Sequence, residues 1–85
     1  MLHELKTWPE PFQATWYGLK SFEFRSSDRG FAVGHGVLLR EWSPETQEYT
    51  GRSIFGEITY ILESGYGLPQ GYCIMQLGTI RKITE

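Results

Sequence analysis

The stretch GLKSFEFR, residues 18–25, contains the change from helix to strand that determines the fold. Gly18 is suited to end a helix, because glycine adopts the left-handed backbone found at helix C-termini without steric cost. Polar and apolar residues then alternate strictly, as they do in a strand whose side chains point to two faces. This alternation predicts Phe22 and Phe24 on the core face and the charged residues of the stretch on the other face.

The charged residues of the same stretch have the form G-x-K-x-x-E-x-R. Lys20 follows the helix end, while Glu23 and Arg25 lie two residues apart and share one strand face. A lysine and an arginine beside a carboxylate can bind a phosphate, or hold a polar ligand while the carboxylate transfers a proton. The alternative is a solvated ion pair within the strand, which contributes only about 0–1 kcal/mol.

Upstream of this stretch, the sequence predicts a short strand and a short helix. Residues 2–6 are typical of the strand, and Thr7 has a glutamate three residues later, the pattern of a capping box at a helix N-terminus. Phe12, Trp16 and Leu19 then recur at helical spacing and form one apolar face. So short a helix is not stable alone in water, and we expect packing to hold it.

Downstream, strand-forming segments alternate with turn-forming segments. Strands are expected at residues 37–42, 53–62, 72–77 and 79–83, and loops at 26–36, 43–51 and 63–71. The step from Phe55 to Gly56 is typical of a bulge. One early helix followed by four or five strands predicts an α+β fold that is mostly β. We expect a single domain over residues 1–85, a small curled β-barrel with the helix covering one end.

Composition and charge limit the classes of function. The 85-residue chain has a net charge of −2 at pH 7 and a pI of about 5.6, which argues against coating of nucleic acid by bulk electrostatics but not against a local basic cleft. The single Cys73 cannot form an internal disulfide, and His3 and His35 lack metal-ligand spacing, so no metal and no cofactor is expected. No apolar run approaches the length of a membrane span, so we expect a soluble cytoplasmic protein with no membrane partner.

Blocks along nearly the whole chain resemble one protein family. They comprise residues 3–6, 11–12, 18–25, 28–31, 33–34, 39–42, 49–52, 59–60 and 67–72. The charged motif closely resembles the signature of ASCH domains, a branch of the PUA-like β-barrels. The whole pattern is similar to a small family from bacteria and their phages, the domain of unknown function 3850. The resemblance implies a PUA-like (ASCH-type) barrel with a cleft near Lys20, and RNA as the ligand proposed for ASCH domains.

Some small relatives of ASCH domains resemble amidohydrolases of acylated cytidine nucleosides, in which a lysine, a threonine and a distant glutamate carry the chemistry. Lys20 matches that lysine, whereas Glu23 stands where the threonine would be, and this departs from the acyl-transfer mechanism. His35 is a second departure, since the pattern has an acidic residue after Val33 and Gly34.

Three functions stand as hypotheses, and binding is favoured over catalysis. The first is a binding module for RNA, a nucleotide or a modified nucleoside. In it Lys20, Arg25 and Arg29 bind phosphate or carbonyl oxygens, and Glu23 accepts a hydrogen bond from a base amino group. The second is an enzyme, a nucleoside amidohydrolase or nuclease, with Glu23 as general base and Lys20 polarising a carbonyl. The third is a phage-type interaction factor that acts on a host protein.

Four further residues are candidates for the ligand site. Lys6, like the arginine after the motif, adds positive charge near it. Arg40 and Trp42 have the same strand parity and so present a cation and a stacking ring on one face. Tyr60 lies on an alternating strand and is expected to point into the cleft. The alternative for each of them is an ordinary surface or core position.

Overall fold

Five strands and one short helix form the chain, and the computed structural model describes all 85 residues. They are β1 (Leu2–Thr7), α1 (Pro9–Trp16), β2 (Phe22–Ser26), β3 (Gly36–Ser43), β4 (Glu48–Leu62) and β5 (Tyr72–Thr84). The strands make one sheet in the order β1-β3-β4-β5-β2, in which β1 is parallel to β3 and the other neighbouring pairs are antiparallel. The expectation of a mostly-β chain with one early helix is confirmed. The helix has eight residues, too few to cross a membrane.

The sheet curls into a half-barrel that brings its two edge strands, β1 and β2, near each other. Arginine side chains bridge these edges. Arg25 on β2 donates from Nη1 to the carbonyl oxygen of Lys6 on β1 at 3.1 Å. Arg29, just after β2, donates from Nη1 to the carbonyl oxygen of Glu4 at 2.7 Å. We call this line of contact between β1 and β2 the seam.

The concave side of the sheet holds an apolar core that α1 covers. The buried apolar side chains are Leu5, Phe12, Phe31, Val37, Leu39, Ile54, Ile58, Cys73, Met75 and Leu77. Phe12 is the contribution of α1, and its ring stacks on that of Trp16 with the centroids 5.7 Å apart. Complete burial of a phenylalanine side chain stabilises the folded state by about 1.5–3 kcal/mol. Packing of Phe12 in the core therefore holds a helix that is too short to be stable alone.

The helix begins later than the sequence predicts. Trp8 is its N-cap residue and makes no side-chain cap, while two prolines lie in the first turn, where a missing N–H is tolerated. Thr7 belongs to β1 instead, and its buried hydroxyl donates to the carbonyl of Leu5 at 3.1 Å. The predicted capping box is therefore wrong. Leu19 lies beyond the end of α1 and is 84 % exposed, so it does not extend the apolar face.

The two faces of β2 are the reverse of those predicted. Phe22 and Phe24 point outward and are 47 % and 48 % exposed, whereas Glu23 between them is 3 % exposed. The prediction assumed that the apolar residues of an alternating strand face the core. Here the inward side chains are charged and pair with one another, which satisfies them without water. Phe24 instead stacks on Tyr72 across the outer face, with centroids 5.4 Å apart.

The long strands bend rather than break. The register of β4 shifts beside Phe55 and Gly56, as predicted for that step. Gly56 lies so close to β5 that a Cβ there would be 3.2 Å from Cβ of Leu77. The two strands predicted for the C-terminal part are one strand, β5, which passes through Thr79 with a φ of 54°.

Candidate functional site

The end of the helix positions the lysine of the charged motif. Gly18 has a φ of 78°, in the left-handed region that glycine enters freely. The amides of Leu19 and Lys20 both donate to the carbonyl of Ala14, at 2.8 and 3.1 Å. These bonds fix Lys20 in the turn between α1 and β2, next to the first residues of the strand.

Glu23 lies between two cations. Nζ of Lys20 donates to its Oε2 at 2.6 Å, and Nε of Arg25 donates to its Oε1 at 2.9 Å. The carboxylate is buried, whereas the side chains of Lys20 and Arg25 keep part of their surface in solvent. The three residues are thus ion-paired, as the alternative of a solvated ion pair predicted. The shared carboxylate, however, is buried rather than solvated. Burial is tolerated because each oxygen accepts a charged hydrogen bond.

Arg25 joins this cluster to β1. Besides the bond to Glu23, its Nη1 donates to the carbonyl of Lys6 and its Nη2 donates to Oγ1 of Thr7 at 3.0 Å. A guanidinium has five N–H donors and a lysine ammonium has three. Arg25 therefore keeps two N–H groups unused in this network, and Lys20 keeps two.

A cleft of about 400 Å³, the larger cleft, opens above this cluster. Its lining residues are Lys6, Thr7, Trp8, Pro11, Lys20, Phe22, Glu23, Phe24 and Arg25. Three cations and one carboxylate give the lining a formal charge of +2, although the whole chain carries −2. Trp8, 57 % exposed, presents a large ring at this cleft. Positive charge and accessible rings thus occur together in this cleft, on a protein whose net charge is negative.

A second cleft of about 220 Å³, the smaller cleft, lies farther along the seam. It shares Arg25 with the larger cleft, and Arg29 and Asp28 supply its other charges. Arg29 is held against β1 by its bond to the carbonyl of Glu4. The structure therefore brings Arg29 beside the motif, but into a neighbouring cleft.

Of the four remaining predicted residues, only Lys6 lies beside the motif. Lys6 lines the larger cleft, and its Nζ also lies 4.2 Å from the centre of the Trp42 ring. Arg40 lies 3.9 Å from the centre of the Tyr49 ring. Trp42, Arg40 and Tyr60 line neither cleft. Tyr60 is an exposed residue of β4, two strands away from β2 in the sheet.

His3 and His35, for which no partner was evident in the sequence, form a pair. Nε2 of His3 and Nδ1 of His35 are 3.0 Å apart, and the buried ring of His3 packs edge-on against Phe31. Burial lowers the pKa of His3 below its usual value of 6.5, and the charge of His35 lowers it further. No local pattern could have revealed this pair, because it depends on the parallel pairing of β1 with β3.

A second buried ion pair also escaped the sequence prediction. Nε and Nη2 of Arg52 donate to the two oxygens of Glu41 at 2.9 and 3.0 Å, and Oγ1 of Thr50 donates to Oε1 at 2.7 Å. The bond from Arg52 lowers the pKa of Glu41, against the raising effect of burial. Arg52 also lies 4.7 Å from the centre of the Trp16 ring, so this pair holds α1 on the sheet. The sequence does contain a signal for the burial of Glu41. It lies two residues after Leu39 in the same strand, so both side chains point to the same, buried face.

Neither metal binding nor thiol chemistry has a built site in the structure. No three histidine, cysteine, aspartate or glutamate side chains come together in a way that could hold a metal ion. Cys73 is buried in β5, and burial raises the pKa of its thiol. It acts as a small core residue.

Comparison with known proteins adds a family but no activity. The model of the family described as "Domain of unknown function (DUF3850)" matches residues 2–77. The chain is also 32 % identical over 62 residues to the "Uncharacterized 12.9 kDa protein in GpA 3'region" of Escherichia phage P2. That similarity covers 73 % of this chain and 55 % of the phage protein, so the chain spans little more than half the length of this curated relative.

Proposed function

Because the chain belongs to the DUF3850 family, whose description assigns no activity, we propose a function from the larger cleft itself: it binds RNA or a nucleotide. The observation that carries this proposal is the coincidence of a +2 lining with exposed rings on a protein of net charge −2. Phosphate is recognised by charged N–H donors, and bases are recognised by flat rings on which they stack.

The phosphate would be bound by Lys20 and Arg25. Each keeps two N–H donors that are not used within the protein. Both are preorganised, since Glu23 and the carbonyl of Lys6 hold them, and preorganised side chains lose less entropy when a ligand arrives. Lys6 adds a third positive charge at the rim.

The base would stack on the aromatic wall of the cleft. Trp8 and Phe22 line it and are about half exposed, so a base can reach their rings. Stacking of a base on an aromatic side chain contributes about 1–3 kcal/mol and is tolerant of sequence. This supports a nucleotide or single-stranded RNA over an inorganic anion.

Glu23 has a different role in this proposal from the base acceptor expected from the sequence. Its carboxylate is buried, and both of its oxygens already accept bonds from cations. It therefore positions Lys20 and Arg25 rather than contacting the ligand. The same placement weakens the amidohydrolase or nuclease alternative, because a general base must reach the proton it removes.

The proposal also includes an assignment of the half-barrel to a particular fold family. The half-barrel with its short helix, together with the G-x-K-x-x-E-x-R motif at the cleft, supports a place among the PUA-like barrels of ASCH type. The cleft then lies beside the motif lysine, where the resemblance implies it.

The alternative of a host-protein partner draws on Phe24 and Tyr72, which form an exposed aromatic stack on the outer face of the sheet.

Thermal shift with nucleotides and short single-stranded oligoribonucleotides tests the proposal, because a ligand of the native state must raise the melting temperature. We expect RNA or nucleotide to stabilise the wild type and the effect to be largely lost in Lys20→Gln and Trp8→Ala. Arg81→Gln is the matched control, since Arg81 is exposed on β5 and lines neither cleft. Stabilisation that is equal in all four proteins would refute the cleft as the site. No stabilisation by any of these ligands would refute nucleotide binding and favour the protein-partner alternative.

A further inference from the structure

The two clefts lie on either side of one arginine. Arg25 lines both of them and is the one residue that their linings share. Lys20 lies on the larger side and Arg29 on the smaller side. A ligand that lies along the seam therefore contacts three cationic side chains in succession: Lys20, Arg25 and Arg29.

The spacing of these cations is set by β1. Arg25 is bonded to the carbonyl of Lys6, and Arg29 is bonded to the carbonyl of Glu4. These carbonyls are two residues apart on one strand, which is about 7 Å at the rise of a β-strand. That distance is close to the separation of consecutive phosphates in an extended single strand of nucleic acid.

The linings of the two clefts suit different parts of a nucleic-acid strand, a base in the larger cleft and a backbone phosphate in the smaller cleft. The larger cleft carries the rings of Trp8 and Phe22, and the smaller cleft carries Asp28 with the two arginines. With Arg25 counted in both linings, the formal charges are +2 in the larger cleft and +1 in the smaller cleft, where Asp28 offsets one arginine. The less positive cleft suits a phosphodiester, which bears one negative charge, better than a terminal phosphate, which bears nearly two.

We propose that one single-stranded RNA spans both clefts, with one nucleotide in the larger cleft and the phosphodiester of the next nucleotide on Arg29 in the smaller cleft. This inference rests on the proposed function and names its substrate class, a strand of at least two nucleotides rather than a mononucleotide. Arg29 is then a binding residue as well as the latch that holds the loop after β2 to β1.

Calorimetric titration with 5′-phosphorylated oligoadenylates of one, two and three nucleotides tests this inference. We expect the affinity of the wild type to rise about tenfold from one nucleotide to two, as one charged hydrogen-bonded contact would produce, and to change little from two to three. Arg29→Gln should abolish that rise and leave the affinity for adenosine monophosphate unchanged. Arg29→Lys, which keeps the charge, should retain part of the rise in affinity from one nucleotide to two. Arg81→Gln should retain the whole of that rise.

The outcomes separate the two proposals. If the mononucleotide binds but the second nucleotide adds nothing, or if Arg29→Gln preserves the rise, the two-cleft inference is overturned and the proposed function stands. If no length binds, both are overturned. The melting temperatures of Arg29→Gln and Arg29→Lys report loosening of the loop separately. Loosening alone would lower the affinity for one nucleotide as well as for two, and that result would also overturn the role of Arg29.

Discussion

At the scale of single residues, the charge of Glu23 determines the geometry of the larger cleft. Its carboxylate joins Lys20 in the turn after α1 to Arg25 on β2, and Arg25 in turn reaches β1. The turn after α1, β2 and β1 are therefore linked through the carboxylate of Glu23 and the guanidinium of Arg25. A change of charge at this position should be felt both in stability and in the cleft.

Replacement of Glu23 by glutamine keeps the shape of the side chain and removes its charge. We expect the free energy of unfolding to fall by roughly 1–3 kcal/mol, less than for a fully buried pair because Lys20 and Arg25 are partly solvated. Urea unfolding measures this change. Glu57→Gln, at an exposed position of β4, is the control and should change stability by less than about 0.5 kcal/mol. Equal effects of the two substitutions would contradict the role assigned to Glu23.

The pair of His3 and His35 predicts a pH dependence. The native pKa of His3 is lowered, so below pH 6.5 the unfolded chain binds more protons than the native chain. Stability should therefore be complete above pH 6.5 and fall as the pH decreases from 6.5 through the lowered pKa. The groups facing His3 that contribute to this shift are His35, the N-terminal amine and Arg29.

Thermal melts between pH 7.5 and pH 5 measure this dependence. In His35→Gln one of the two charges is absent, so the loss of stability on acidification should be smaller than in the wild type. The Glu41 carboxyl, whose pKa is lowered from 4.5, adds its own loss mainly below pH 4.5, outside the range of these melts. A variant that loses stability as steeply as the wild type would show that the charge of His35 does not contribute and that burial of His3 alone lowers its pKa.

At the scale of elements, β2 and α1 differ in which apolar residues they bury. Phe12 of α1 is fully buried, while Phe22 and Phe24 of β2 are half exposed. An alternating strand is usually amphipathic with the apolar side inward. In β2 the inward side chains are the ion-paired Glu23 and Arg25, so the rule that relates hydrophobicity to burial does not hold there.

A pair of substitutions tests this reversal of faces. Phe12→Ala should lower the free energy of unfolding by about 3–5 kcal/mol, the usual cost of truncating a buried phenylalanine. Phe22→Ala should lower it by less than about 1 kcal/mol, because about half of this residue is already exposed to solvent. Chemical denaturation measures both. A cost at Phe22 comparable to that at Phe12 would mean that β2 turns its rings to the core, as the sequence predicted.

At the scale of the whole molecule, an acidic protein presents a basic seam. The net charge of −2 opposes association with a polyanion at long range, while the lining of the larger cleft attracts it at short range. The strength and the salt dependence of binding are therefore set by the few phosphates in the seam rather than by the overall charge.

The salt dependence of RNA binding measures how many phosphates the seam contacts. With two phosphates neutralised on a single strand, the plot of log affinity against log salt should have a slope of about −1.4. Arg29→Gln should make the slope shallower by about 0.7, the contribution of one phosphate, while Arg81→Gln should leave it unchanged. A slope several times steeper would indicate a much wider electrostatic surface than the seam.

The order of elements and the location of the charged motif could be read from the sequence because both depend on local chemistry. Alternation predicted the strands, glycine and proline predicted the turns, and the spacing of Lys20, Glu23 and Arg25 predicted a cluster. Alternation determines which residues share a face of a strand, but not which face the rest of the chain covers. The reversed β2, the pairing of His3 with His35 and the seam of Arg25 and Arg29 on β1 were therefore decided only by the tertiary structure. Each arises where strand pairing or the curl of the sheet brings together segments that are distant in sequence, and no local pattern encodes either.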